Sequence, residues 1–332
     1  MDRTNKTDTF PNVKATNVKE TSVKETSVKE MIGRFLGAGV ARYTQQLTPC
    51  EFENITEIRL RAHQPLLVKM HGKDYALGPH KVALAKDFPQ CYCPTADDIY
   101  ETMERISRHS FYAFEGELAM GYITLPGGHR VGVAGQAVVE GGVVRSWKYI
   151  SAVNIRVTHS VPGCADGVLP RITQGGGLLH TMIISPPGCG KTTLLRDIVR
   201  QISNGGVTVG LADERSEVAA CYQGIPQNDV GMRTDVLDGC PKPIAMDMLL
   251  RAMSPQVIAV DELGGGADAY AVDRALNAGV KLLCTAHGAS VDDAMANPAL
   301  AKMLGRGIFE RFVVLGSGHQ VVGVYAGDKR VL

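Results

Sequence analysis

The stretch M-I-I-S-P-P-G-C-G-K-T-T-L-L-R-D, residues 182–197, decides the fold. An apolar run that suits a buried strand leads into a Pro/Gly loop, and the loop leads into residues that open a helix. That order is what a phosphate cradle requires. Consecutive backbone N–H groups point inward and the helix N-terminus adds partial positive charge, so phosphate oxygens replace water on those donors. The expected binding loop is Ser185, Pro186, Pro187, Gly188, Cys189, Gly190, Lys191, Thr192 and Thr193. Gly188 and Gly190 let the backbone approach phosphate with no Cβ in the way. Lys191 is placed to reach the β- and γ-phosphates, and the Thr192 hydroxyl to ligate Mg²⁺. Ser185 stands where such loops usually carry their first glycine, and it is small enough for a strand exit. The expected ligands are therefore ATP and Mg²⁺.

Further along, V-I-A-V-D-E (257–262) is an apolar strand ending in two acids. Asp261 is expected in the Mg²⁺ shell and Glu262 as the group that orients or deprotonates the attacking water. Open α/β sheets hold their ligands at the carboxyl edge, which is where both acids fall. A second strand-end cluster, D-E-R-S-E (213–217), offers Glu214 as another water-positioning or metal-side acid. His287, in T-A-H-G after the strand 281–286, is a candidate sensor of the γ-phosphate because an imidazole N–H can donate to it. Hydrolysis also needs positive charge near the γ-phosphate, often from a neighbouring subunit. Arg130 and Arg156 are the first candidates; Arg233 and Arg251 are weaker, and the core shows no convincing arginine finger of its own.

Outside this region the chain reads as a second, smaller unit. Residues 55–62 alternate so that Ile58, Leu60 and Ala62 face one way and Glu57, Arg59 and Arg61 the other, as in a half-buried strand. Residues 31–47 read as helical, 66–70 as a short strand, and 97–108 as an amphipathic helix capped by Thr95 and Asp98. Runs broken at Gly127-Gly128 and Gly141-Gly142 read as antiparallel hairpins. From residue 161, apolar runs at 182–184, 207–212, 257–260 and 281–286 alternate with helical segments at 191–202, 244–253 and 267–278, which implies a parallel sheet with crossover helices. Residues 309–326 close with a hairpin. The expected architecture is α/β: a RecA-like P-loop core over 161–332, a smaller N-terminal α+β domain over 31–160, and a junction near 160–175. Residues 1–30, with the repeat TNVKE-TSVKE-TSVKE, read as a flexible tail, because a five-residue period fits neither helix nor strand.

Composition sets outer bounds. The chain has 332 residues, 45% of them hydrophobic, enough for about two domains. Its 35 Lys+Arg nearly balance 34 Asp+Glu, so no overall basic field favours nucleic acid, and a strand threaded through a ring would need a local basic surface. With no long apolar run and no leader, the expectation is a cytoplasmic protein able to dock on a membrane complex. The eight cysteines are scattered, and Cys91 and Cys93 lack both C-x2-C spacing and further ligands, so neither a disulfide framework nor a zinc site is expected.

Together these motifs resemble the stage III sporulation protein AA family of endospore-forming bacteria, related to secretion and pilus-motor ATPases. The likeness covers residues 31–332 and rests on E-I-R-L-R-A (57–62), G-Y-I-T-L-P-G-G-H-R-V-G-V-A-G (121–135), N-I-R-V (154–157), the phosphate loop, D-E-R-S-E, M-R-T-D-V-L-D-G-C-P-K (232–242), M-S-P-Q-V-I-A-V-D-E (253–262) and T-A-H-G. The resemblance implies a homo-hexameric RecA-like ring whose N-terminal domain packs over a neighbour's nucleotide. It also implies work at a membrane channel complex between mother cell and forespore, from the mother-cell side. By the same likeness D-E-R-S-E falls at the acidic box of secretion ATPases and T-A-H-G at their His box. Asp261-Glu262 departs from the Gly-Glu that those motors commonly carry. Two other readings fit parts of the pattern. An AAA+ remodelling ATPase would need a helical lid after the core, and a nucleotide-gated scaffold would bind ATP with little turnover.

Overall fold

The computed structural model describes residues 28–79, 83–84, 90–108, 114–119, 121–159, 161–264, 266–327 and 329–330. The repeat up to residue 27 lies outside them. Its last copy runs into a helix, Val28–Gly33, whose Ile32 is buried.

Seven strands form the N-terminal sheet: β1 (Ile55–Arg61), β2 (Leu67–Met70), β3 (Lys73–Ala76), β4 (Ala83–Leu84), β5 (Tyr122–Thr124), β6 (Arg130–Glu140) and β7 (Val143–Arg156). Their order is β4-β3-β2-β1-β7-β6-β5, and every pairing is antiparallel. The alternation read in β1 decides which face is covered: Ile58 and Leu60 are fully buried, while Glu57, Arg59 and Arg61 keep contact with water. Against the buried face lies the helix Ala96–Ile106, with Ile99, Met103 and Ile106 inside. Its start is set by Thr95, whose hydroxyl accepts the Asp98 N–H at 3.2 Å while Asp98 accepts the Thr95 N–H at 2.7 Å. Thr95→Ala removes half of that reciprocal cap and should cost about 1 kcal/mol, read as a lower thermal midpoint.

The single helix expected over 31–47 is instead divided into Val28–Gly33 and Ala38–Thr44. Gly37 is the reason. Its N–H donates to Thr102 Oγ1 at 3.0 Å, and a Cβ there would meet the Asp98 carbonyl at 3.0 Å. The chain turns where it must touch the neighbouring helix.

The second sheet has the order β12-β11-β13-β14-β10-β15-β16-β17. Its strands are β10 (Thr181–Ser185), β11 (Val209–Asp213), β12 (Thr234–Asp238), β13 (Val257–Val260), β14 (Lys281–His287), β15 (Arg311–Leu315), β16 (Val321–Ala326) and β17 (Lys329–Arg330). A small ribbon of β8 (Thr173–Gln174) and β9 (Gly177–Leu178) precedes them. From β12 to β15 all pairings are parallel, and β16 and β17 add antiparallel strands. Every residue of β10, β11 and β13 is buried, as expected of parallel strands covered on both faces. One face packs on the helix Lys191–Asn204 through Leu195, Ile198, Val199 and Ile202. The other packs on the helices Lys242–Ala252 and Gly266–Asn277. Each such fully buried aliphatic side chain contributes roughly 1.5–3 kcal/mol of transfer free energy. The strand β12 and the short helices Val291–Ala296 and Pro298–Leu304 were not expected from the sequence. The closing hairpin is present as β15 and β16.

Among the described residues no helix is long and apolar enough to cross a membrane.

Candidate functional site

The register of three parallel strands assembles the site. In the β10–β14 pairing Ser185 stands opposite His287, and in the β13–β14 pairing Val260 stands opposite Cys284. The phosphate loop, Asp261-Glu262 and His287 therefore leave the sheet side by side at its carboxyl edge.

Ser185 is fully buried and its hydroxyl donates to the Pro186 carbonyl at 2.9 Å, so the position of the usual first glycine is filled by a closed local contact. Gly188 (φ 75°) and Gly190 (φ 89°) both take the left-handed conformation, which costs a glycine little. Gly190 is the N-cap of the helix that begins at Lys191, and no side chain caps that end. Its first-turn N–H groups and the helix dipole are left to an anion. Lys191 Nζ lies 3.3 Å from His287 Nε2 and 3.4 Å from Nδ1. An open cleft of about 510 Å³ lies over Pro186, Pro187, His287 and Gly288.

Asp261 is held by two hydroxyls: Thr192 Oγ1 donates to it at 3.1 Å and Thr285 Oγ1 at 2.8 Å. Burial, the largest cause, pushes its carboxyl up, and nearby Glu217 adds to that. A desolvated carboxylate beside a threonine hydroxyl at the phosphate loop is a hard oxygen donor pair that a divalent cation would stabilise, so Thr192 and Asp261 fit Mg²⁺.

Glu262 turns its backbone into the left-handed region (φ 57°), an uncommon state for a side-chain-bearing residue that costs of order 1–3 kcal/mol. Two bonds hold it there. The Glu262 N–H donates to Thr285 Oγ1 at 2.8 Å, and the Glu262 carbonyl accepts from Lys242 Nζ at 2.7 Å. The turn carries the carboxylate toward the loop, with Oε1 3.1 Å from His287 Nε2 and Oε2 3.6 Å from Arg215.

Of the cluster 213–217, Glu214 reaches this edge through Lys242, which it meets at 3.2 Å. Asp213 faces inward, accepting the N–H groups of Glu217, Val218 and Ala219 at 2.8–3.1 Å. It staples the segment after β11. The buried Arg196 of the loop helix grips the same segment, donating to the carbonyls of Val218 at 2.6 Å and Glu217 at 2.8 Å.

The structure thus brings Lys191, Thr192, Asp261, Glu262 and His287 together, with Glu214 one ion pair away. The two candidate arginines lie elsewhere. Arg130 bonds Glu217 of its own chain at 2.9 Å and covers the Tyr122 ring at 4.3 Å. With the Gly127 N–H donating to Gln227 at 3.0 Å, it ties the β5–β6 turn to the core. Arg156, its partner across β6 and β7, is exposed. Arg215, an exposed arginine of the core that the sequence did not single out, stands beside Glu262. Sequence reasoning also missed Thr285 and Lys242. Lys242 closes the D-G-C-P-K run that leaves β12 at this edge, whereas Thr285 is brought to Asp261 and Glu262 only by the register of β14 beside β13.

Comparison with known proteins places these observations in a family. The sporulation stage III, protein AA family model matches residues 26–331. Stage III sporulation protein AA of Bacillus subtilis (strain 168) is 40% identical over 287 residues, which span 84% of this chain and 89% of that protein. Among solved structures, the Legionella pneumophila ATPase DotB aligns with a TM-score of 0.54 at 15% identity, over 85% of this chain and 76% of its own. The Yersinia pseudotuberculosis ATPase DotB aligns at 0.50 and 13% identity, over 79% of this chain and 71% of its own. At such identities the likeness is one of fold: a RecA-like α/β core carrying a smaller N-terminal α+β domain. With the family model spanning nearly the whole chain and the phosphate loop, acidic pair and histidine meeting at one sheet edge, the chain belongs to the sporulation stage III protein AA family.

Proposed function

We propose that this chain is an ATP-hydrolysing motor of the secretion-ATPase type that serves endospore formation at the channel between mother cell and forespore. The observation that supports it most is the convergence of Lys191, Thr192, Asp261, Glu262 and His287 at the carboxyl edge of one parallel sheet. The proposal includes a division into a tail at 1–30, an N-terminal domain at 31–160 and a core at 161–332. It places homo-hexameric rings against a membrane channel complex, on the cytoplasmic side of the mother cell.

In this reading the N–H groups of residues 188–193 and Lys191 hold the β- and γ-phosphates. Thr192 and Asp261 would hold Mg²⁺, which would supply positive charge to offset the negative charge that develops during transfer of the γ-phosphoryl group. Glu262 accepts a proton from the water that attacks the γ-phosphorus, and the bond to the departing ADP oxygen breaks with its electrons. His287, between Lys191 and Glu262, is placed to donate to the γ-phosphate and to register its loss. Glu214 keeps Lys242 on the Glu262 carbonyl and so sustains the turn that aims the carboxylate.

Steady-state phosphate release from the purified chain tests the proposal, with particle mass measured in the presence and absence of ATP. Turnover that rises as hexamers form supports the motor. ATP binding without turnover would favour a nucleotide-gated scaffold, and stimulation by single- or double-stranded DNA would redirect the reading toward a nucleic-acid motor.

The arginine completing the γ-phosphate site is assigned to a neighbouring subunit. Since Arg130 is engaged within its own chain, exposed Arg156 is the better placed of the two. Arg156→Ala should lower turnover far more than ATP affinity, because a finger acts on transition-state charge. Mixed with Lys191→Ala chains, it should recover part of the activity at joint interfaces. No recovery in mixed rings confirmed by mass would count against a shared site.

A further inference from the structure

The γ-phosphate end of the proposed site is marked by Lys191, Asp261, Glu262 and His287, which come from the loop and from β13 and β14. In the sheet, β14 pairs with one side of β10 and β15 pairs with the other. A triphosphate lying along the loop with its γ end at β13 and β14 would extend its other end toward the β15 side of β10, where the turn that follows β15 lies.

That turn carries an imidazole that already touches the loop. Gly316 to Gln320 form a tight reversal, closed by the Gly316 N–H donating to the Gln320 carbonyl at 2.9 Å. Within it His319 takes φ 60°, left-handed and uncommon for a residue with a side chain. The ring lies directly against Gly190, where an added Cβ would fall 2.6 Å from His319 Nδ1 and 3.4 Å from its Cγ. His319 is nonetheless exposed, so part of the imidazole is open to solvent beside the cradle. With Gly318 (φ 79°) His319 makes the consecutive left-handed pair that a tight hairpin tip uses, so the turn itself fixes where the ring lies.

We propose that the β15–β16 turn is the nucleoside wall of the site and that His319 stacks on the base of the bound nucleotide. The inference rests on the nucleotide reading above and adds to it the group that recognises the part of the ligand beyond the phosphates. A flat imidazole face suits any nucleobase, so it favours nucleoside triphosphates over bare polyphosphate without selecting strongly among bases.

The test compares ATP with inorganic tripolyphosphate, which has the phosphates and no base, by calorimetric titration with Mg²⁺. The wild-type chain should bind both. His319→Ala should weaken ATP by about tenfold or more, within the range of a lost base–aromatic stack, and leave tripolyphosphate affinity unchanged. His319→Phe should restore ATP binding, since it keeps a ring and discards the ring nitrogens. Equal losses for both ligands would mean that His319 only braces Gly190, and unchanged ATP affinity in His319→Ala would remove it from the site; either overturns the inference while leaving the nucleotide reading intact. A wild-type chain that bound neither ligand would overturn both. Because His319 is exposed, unchanged thermal midpoints are expected for the two variants.

Discussion

Glu262→Gln is expected to bind ATP and Mg²⁺ with unchanged affinity and to hydrolyse ATP about 10²–10⁴-fold more slowly, the usual contribution of a positioned general base. The amide has the shape of the carboxylate and can still accept from His287, now 3.1 Å from Oε1. Its backbone contacts survive as well, because the N–H bond to Thr285 and the carbonyl bond from Lys242 do not involve the side chain. What is lost is a base for the water's proton. The variant should therefore accumulate in its ATP-bound assembly, visible as a stable high-mass species under turnover conditions. Phosphate release at the wild-type rate would sink the assignment and shift attention to Glu214, whose carboxylate is at present occupied by Lys242 at 3.2 Å.

The parts of this molecule legible in its sequence are those in which one local pattern carries the whole signal. The run 257–260 is apolar throughout and becomes β13 with the same limits, because a strand covered on both faces has no polar side to blur it. The acidic pair after it and His287 at the end of β14 are legible because strand ends at the carboxyl edge must share one crevice. By contrast β12, T-D-V-L-D, is half-buried along its length and pairs with β11 alone, so its acids mask the strand. The helices 291–296 and 298–304 are under two turns long, too short for a period to show.

Within the site the illegible contributions are those made by register. Nothing in T-A-H-G says that the Thr285 hydroxyl will bridge Asp261 and the Glu262 N–H, since that depends on how β14 lies beside β13. Nor does D-E-R-S-E reveal that its first acid turns inward to staple Glu217, Val218 and Ala219 while Arg215 points to Glu262. Arg130 was legible as a candidate, but its attachment to Glu217 joins residues 87 positions apart and appears only in three dimensions.

Lys191→Ala should carry the largest effect on binding. Its ammonium stands at the first helical position after Gly190, where the loop amides and the helix dipole already favour an anion, and it is the cation of this cluster that the loop itself provides. Removing a charge-assisted partner from a phosphate should cost about 3 kcal/mol, roughly a hundredfold in Kd, and turnover falls with it. The fold should be indifferent, because Lys191 is only half-buried and its contact is with His287 at 3.3 Å across the site, not with the core. A thermal midpoint equal to wild type, together with lost ATP binding in titration, is the expected pair of results. The comparison with Glu262→Gln sharpens it: one variant should fail to load, the other should load and stall. Equal ATP affinity in folded Lys191→Ala would show that phosphate binds elsewhere, and the cradle at residues 185–193 would lose its assigned role.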